Sequence, residues 1–237
     1  MQKYEIIRNL GRGSYGRVDL VKSKITGEQY ALKKVKLGQM KPRDKKQALE
    51  EAKFLSKINP PNIVSYKESF QEIDSLYIAM EYIDGGDLEK KIAQRGHSFL
   101  PEREILFAFV QVLLALNYLH TEKHILHRDI KPQNCFLTRH GIVKLGDFGV
   151  SRELNGMQDL AKTVIGTPFY LAPEMWDHHP YSYAADIYSL GVVLYELCTL
   201  KKPFEAENQP ELLVKVMKHD HKPLPSFFSN DLRRLVE

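Results

Sequence analysis

Between Glu102 and Glu122 apolar residues recur at Ile105, Phe109, Val112, Leu116 and Leu119, in steps of four and three, with further apolar residues between them. That period predicts one long, largely buried helix. Pro42 to Asn59 carries a proline near its start and apolar residues at Ala48, Ala52, Leu55 and Ile58, so an amphipathic helix stopped by Pro60 is expected. Nearer the N-terminus the pattern changes. Tyr4 to Leu10, Arg17 to Ser23 and Glu28 to Val35 are short, β-rich segments separated by glycine turns, which predicts a three-stranded antiparallel meander. Leu76 to Met80 reads as a buried strand, after which Glu81 to Asp87 turns away through Gly85 and Gly86. Ile187 to Leu200 is the most apolar window, yet it contains Glu196 and is shorter than the roughly 20 residues that span a bilayer. A buried helix is expected there, and no membrane anchor.

The order is therefore a β-rich front followed by a helical back. A chain of 237 residues suits one large domain or two small lobes sharing a cleft. A formal charge of +4 is too small to argue for nucleic acid, and the basic residues are interspersed with acids. Cys135 and Cys198, the two cysteines, lie far apart within apolar runs, which argues against a disulfide framework or a zinc site and for a reducing compartment. Met1 is followed at once by Gln2 and Lys3, so no signal peptide is expected. The cytosol or nucleus is the expected setting, with neither nucleic acid nor membrane as partner.

The chemistry concentrates in residues 127–149, HRDIKPQNCFLTRHGIVKLGDFG, which bring Asp129, Lys131, Asn134 and Asp147 into one short segment. An acid within reach of an incoming hydroxyl can orient it and accept its proton. An amide and a second carboxylate are hard oxygen ligands suited to Mg²⁺ on phosphates. Upstream, Gly11-Arg12-Gly13-Ser14-Tyr15-Gly16-Arg17-Val18 is a glycine motif shared by two kinds of site. A dinucleotide site needs a helix after the third glycine and an acid about 20 residues on. Here a second strand follows, and then Ala31-Leu32-Lys33.

These segments, with Ala172-Pro173-Glu174 further on, resemble the eukaryotic protein kinases in content and order. The resemblance implies an α+β, bilobal protein-kinase-like fold: a small β-rich N-lobe with one key helix (1–80), a hinge (81–86) and a larger, mainly α-helical C-lobe (87–237). It implies ATP and Mg²⁺ as cofactors and protein substrates as partners. Backbone N–H groups of Gly11, Gly13 and Gly16 then cover the phosphates, and Lys33, paired with Glu51, places a positive charge on them. Tyr15 at the loop tip either caps the phosphates or is exposed. Leu10, Val18 and Ala31 line the adenine pocket from one side and Phe136 from the other. Met80 guards its back, backbone groups of Glu81 and Ile83 bond the adenine edge, and Asp87 faces the ribose. Asp129 orients the acceptor hydroxyl, Lys131 neutralises the transferring phosphoryl group, and Asn134 with Asp147 holds Mg²⁺.

Lys131, two residues after the acid, is the serine/threonine pattern of that family. Thr163 is the expected activating phosphorylation site, with Arg128 and Arg152 clamping the added charge, by an upstream kinase or by autophosphorylation in trans. Thr167 braces the catalytic loop through Asp129 and Lys131. Asp186 bonds that loop's backbone from below. Lys144 to Val150, Ile165 to Glu174 and Tyr195 to Leu200 are similar in wording to the NIMA-related (Nek) kinases. The β-branched Val150 implies a preference for threonine acceptors, and the family an apolar residue three positions before the acceptor. The family also implies sites at the cytoskeleton, centrosome, cilium or nucleus. Such domains continue past Glu237 through helices carrying an arginine that pairs with Glu174, and a chain without that arginine is expected to be less stable by about 3–5 kcal/mol. The other reading of the same motifs is a pseudokinase scaffold that binds nucleotide without transfer, although every catalytic element is present.

Overall fold

The computed structural model describes residues 2–13, 16–147, 168–176 and 182–236. The chain divides into two compact units, Met1–Asp84 and Gly85–Glu237.

The first unit is built on a five-stranded sheet of order β1-β2-β3-β5-β4. Its strands are β1 (Tyr4–Gly13), β2 (Gly16–Ser23), β3 (Gln29–Lys36), β4 (Tyr66–Glu72) and β5 (Ser75–Glu81), and every pair is antiparallel. The meander expected from the first three strands is present, but β4 and β5 extend it. β4 escapes the pattern because Tyr66-Lys-Glu-Ser-Phe-Gln-Glu72 has few apolar positions and sits at the sheet edge, with only β5 beside it. β1 also runs past Leu10, since its ladder with β2 continues to Gly13 opposite Gly16.

Register sorts the side chains onto two faces, because directly paired residues share a face and successive residues alternate. Tyr4, Val21, Tyr30, Leu32, Tyr77 and Ala79 form a buried cluster on one face, with Phe70 packed against it. Phe70 stacks on Tyr77 at 5.1 Å between ring centroids and on Tyr4 at 6.2 Å. The opposite face carries the set Val18, Lys33 and Ile78 and the set Leu20, Ala31 and Met80. Helix α1 (Pro42–Leu55) buries Ala48, Ala52 and Leu55. It stops before the expected Asn59 because the chain tightens, with the N–H of Lys57 donating to the Phe54 carbonyl at 2.9 Å.

The second unit is helical. Its elements are α2 (Leu88–Gln94), α3 (Glu102–Asn117), the hairpin β6 (Cys135–Leu137) and β7 (Val143–Leu145), α4 (Pro173–Trp176), α5 (Tyr183–Thr199), α6 (Gln209–Met217) and α7 (Asn230–Val236). α3 continues through a π turn, Tyr118–Glu122, giving the helix the extent its periodicity predicts. It packs on α5 and against β7. Ile105, Ala108, Val112, Ala115, Leu116 and Leu119 are buried, whereas Phe107, Val110, Leu113 and Leu114 are exposed, so only one face lies in the core. Among the described residues, Glu102–Glu122 is the helix long and apolar enough to cross a membrane by length and composition. Its buried face makes it a core helix of this unit. α5 is buried along most of its length, and it ends at Leu200 in the left-handed region (φ 59°), whose N–H donates to the Glu196 carbonyl. Cys135 and Cys198 are free and buried, and burial pushes both thiols up to about 12.

Candidate active site

In the first unit the sheet itself positions the candidate residues. Lys33 stands in the middle of β3, opposite Val18 on one side and Ile78 on the other. Ala31 is opposite Leu20 and Met80, which brings Val18, Ala31, Lys33 and Met80 to the half-buried face of the sheet. Gly11 pairs with Val18, and Leu10 is the extra residue of a bulge between Asn9 and Gly11. Gly16 has a reason of its own to be glycine: a Cβ there would lie 1.8 Å from the backbone oxygen of Lys34. Glu81 closes β5 with its N–H donating to the Ser65 carbonyl (2.9 Å) and its carboxylate accepting from the Ser65 N–H (2.6 Å). Ile83 follows, half-buried. Glu51 lies on α1, but its side chain is outside the described residues, as is Tyr15.

In the second unit Asp129, Lys131 and Asp147 sit on irregular backbone, with Asn134 in a single 3₁₀ turn, and side chains do the positioning. Lys131 Nζ donates to both carboxylate oxygens of Asp129, at 2.8 and 2.7 Å. Asn134 Nδ2 donates to the Asp129 carbonyl (2.7 Å) and to Asp129 Oδ2 (2.9 Å). Acid, cation and amide thus form one hydrogen-bonded group. The N–H of Gly146 donates to the Asn134 carbonyl at 3.0 Å, which ties the segment carrying Asp147 to the one carrying Asn134. Asp147 is exposed, with φ at 59°, and Arg128 has φ at 68°. Two non-glycine residues in the left-handed region within one site are strained backbone held in place by their surroundings.

Asp186 supplies much of that hold. It is fully buried at the start of α5, where Oδ2 accepts from the N–H of His127 and Oδ1 from the N–H of Arg128, both at 2.8 Å. The His120 ring lies 2.9 Å from Oδ2. Burial works against the Asp186 charge, but the hydrogen bond from His120, the nearby His127 and the two backbone donors outweigh it and hold the carboxyl below the usual aspartate range. His127 was not singled out by its sequence context, and it proves central. Its ring accepts from the N–H of Asp129 at Nδ1 (3.3 Å) and faces the Gly146 carbonyl through Nε2 (3.2 Å). Burial lowers its pKa, so the neutral ring with Nε2–H donating is the form that fits. The histidine before the Arg-Asp pair was the available signal, but nothing in periodicity says which way a loop ring points.

Phe136 and Asp87 are brought together by a β-bridge, flanked by Gly85 N–H to Leu137 O (2.7 Å) and Leu137 N–H to Gly86 O (2.8 Å). The Asp87 carboxylate caps α2, accepting from the Lys90 N–H at 2.8 Å and pairing with Lys90 Nζ at 2.9 Å. Glu174 is in α4, near enough to Tyr188 to add to the burial that pushes that phenol up to about 12. The segment around it is tied to α5 by Tyr170 OH donating to Glu196 (2.7 Å) and Ser189 Oγ donating to the Tyr170 carbonyl (2.7 Å). Val150, Arg152, Thr163 and Thr167 lie outside the described residues.

Residues 4–237 match the protein kinase domain. The chain belongs to that family. Members of the family use ATP with a divalent metal and phosphorylate proteins. This kinase domain is 48% identical over 237 residues to serine/threonine-protein kinase Nek1 of Mus musculus, covering all of this chain and 20% of that protein. It is 44% identical to serine/threonine-protein kinase Nek4 of Mus musculus over 98% of the chain and 29% of the relative. To serine/threonine-protein kinase Nek5 of Homo sapiens it is 45% identical over the whole chain and 33% of the relative. The kinase domain thus spans a fifth to a third of the length of these relatives.

The donor set suits the metal such a domain uses. Asn134, whose amide nitrogen is turned to Asp129, has only its Oδ1 with which to ligate, and Asp147 offers a carboxylate on the segment bonded to it. Two hard oxygen donors with phosphate oxygens to complete the shell are the usual way a protein holds Mg²⁺.

Proposed function

We propose that this chain is the catalytic domain of a Nek-type serine/threonine protein kinase, transferring the γ-phosphoryl group of Mg-ATP to aliphatic hydroxyls of proteins. The observation that carries the reading is the group Asp129–Lys131–Asn134, in which the acid is gripped by a cation and an amide within 2.9 Å. Asp129 orients the acceptor hydroxyl and takes its proton as the new P–O bond forms and the bond from γ-phosphorus to the leaving diphosphate oxygen breaks. Lys131 shares its charge between Asp129 and the phosphoryl oxygens. Lys33 and the amides of the glycine hairpin hold the phosphates, and Asn134 and Asp147 would hold the divalent metal, which would supply charge neutralisation there. Lys131 at its spacing from Asp129 and the Nek-like relatives support Ser/Thr acceptors, and Val150 supports threonine over serine.

Radiolabelled phosphate transfer to a peptide array, with Mg-ATP affinity measured in parallel, tests the reading. Asp129→Asn is expected to lower kcat by about 10²–10⁴-fold with nucleotide affinity retained. Nucleotide binding without transfer by the activated wild-type domain would make it a scaffold instead. Thr163→Ala is expected to prevent activation, read as loss of a phosphopeptide and of kcat together, while an array favouring serine would remove the role given to Val150.

A further inference from the structure

The glycine hairpin carries a side-chain brace on the face away from Lys33. Asn9 is opposite Asp19 in the β1–β2 ladder, and Asp19 is opposite Leu32 of the buried aromatic face. Asn9 Nδ2 donates to Asp19 Oδ1 at 2.9 Å and to the Val18 carbonyl at 3.0 Å, with a longer contact of 3.4 Å to the Gly11 carbonyl. Arg17 Nε pairs with Asp19 Oδ2 at 2.7 Å. Asp19 is 4% exposed, a buried carboxylate with an amide on one oxygen and a guanidinium on the other.

The placement matters because the ladder is interrupted here. Leu10 is an extra residue between the pairs Asn9–Asp19 and Gly11–Val18. A bulge of this kind bends and twists its strand and unpairs backbone groups locally. The Asn9 amide reaches across the interruption to the carbonyls of Gly11 and Val18, the first pair beyond it, and Asp19 fixes its direction, since a carboxylate accepts only from the NH₂ end of the amide. Arg17, one residue past the last glycine, ties the far end of the hairpin into the same carboxylate.

We propose that Asn9, Asp19 and Arg17 are positioning residues for nucleotide binding: they lock the bulge at Leu10 and so set the path of the backbone at Gly11–Gly13 and Gly16–Val18. This rests on the kinase reading, in which those amides cover the phosphates. None of the three touches the nucleotide in that reading, because Asp19 and its partners occupy the other face of the sheet. Their effect passes through the shape of the hairpin.

Two measurements on the intact chain test the brace. In Asn9→Ala and Asp19→Ala, KM for ATP is expected to rise about three- to tenfold with kcat within about twofold, as for loss of one or two hydrogen bonds that position a binding loop. Asp19→Asn, which keeps an acceptor for Asn9, is expected to fall closer to wild type. Without nucleotide, amide exchange in residues 11–18 is expected to quicken in Asn9→Ala while the β4–β5 pair is unchanged. Variants with unaltered hairpin exchange and unaltered KM overturn the brace, as does a loss confined to kcat. The exchange experiment needs no ATP. A wild-type domain that fails to bind Mg-ATP therefore sinks the kinase reading, while exchange still decides whether the brace holds the hairpin.

Discussion

Lys33 and Asp129, the charges that the proposed reaction uses in the first and second units, are held in opposite ways. Lys33 is one residue in a ladder: β2 and β5 pair with β3 on both sides, and the register alone decides that Lys33 shares a face with Val18 and Ile78. Asp129 lies on backbone outside any strand or helix. Its place depends on Lys131, Asn134 and His127, and through the N–H groups of His127 and Arg128 on Asp186 of α5. A strand in regular register inherits its position from many equivalent backbone bonds, so away from the bulge at Leu10 one side chain matters little there. A loop that must be strained, as Arg128 at φ 68° and Asp147 at φ 59° are, needs a few specific bonds, and each becomes critical.

The sharpest way to break this contrast is Asp186→Ala. It leaves two buried backbone donors and His120 without their carboxylate, and a loss of about 3–5 kcal/mol in urea unfolding, with transfer activity falling alongside, is expected. A variant as stable as wild type would mean that the loop holds itself. In the sheet the comparable damage comes from backbone and not from a side chain. Gly16→Ala would place a Cβ against the Lys34 carbonyl, at 1.8 Å before relaxation, whereas at Gly11 nothing lies within 4 Å. Gly16→Ala is expected to cost about 1–3 kcal/mol and Gly11→Ala less than about 1 kcal/mol, so thermal melting should separate two glycines of one motif. Equal melting temperatures would remove cross-strand crowding as the reason for Gly16.

Acid sharpens the contrast further. The buried His127 ring resists protonation in the folded state, while in the unfolded chain it takes a proton near pH ~6.5. As pH falls below that value the unfolded state binds the extra proton, so stability present above it is lost progressively toward the depressed folded pKa. Asp186, whose folded pKa is lowered, adds a second loss as pH falls below the unfolded aspartate value of about 3.9. Urea midpoints between pH 8 and pH 5, in about half-unit steps, should decline, and His127→Asn should flatten that decline. Parallel slopes would place the sensitivity elsewhere. The smallest effect is reserved for Lys46 and Glu50, an i,i+4 pair at 3.7 Å with both side chains mostly exposed: Lys46→Ala should change stability by less than about 0.5 kcal/mol.

Legibility in the sequence followed the same division. Period and turn residues located β1 to β3, β5, α1, α3 and α5, because each of those elements shows a buried face or a fully apolar run. β4 was missed, since an edge strand with Lys67, Glu68, Gln71 and Glu72 has little alternation to read. The acid, cation and amide of residues 129–134 stood out by composition and spacing, and the hydrogen bonds among them realise that grouping. Asp87 was read for its chemistry, and its carboxylate caps α2. The asparagine at position 9 carried no signal, because its meaning depends on a bulge that register creates.

The order of residues by itself determined that β1 to β3, β5, α1, α3 and α5 become strands and helices, and which short runs carry ionisable groups dense enough for phosphoryl chemistry. Those are local properties, fixed by side-chain period, by glycine and proline, and by spacing along the backbone. Tertiary structure decided the orientation of the His127 ring, the reach of Asp186 from α5 to a loop 58 residues earlier, and the use of Asn9 as a brace. Each joins groups distant in sequence through hydrogen bonds in the interior, where burial makes an unpaired polar group costly and so leaves one arrangement favoured.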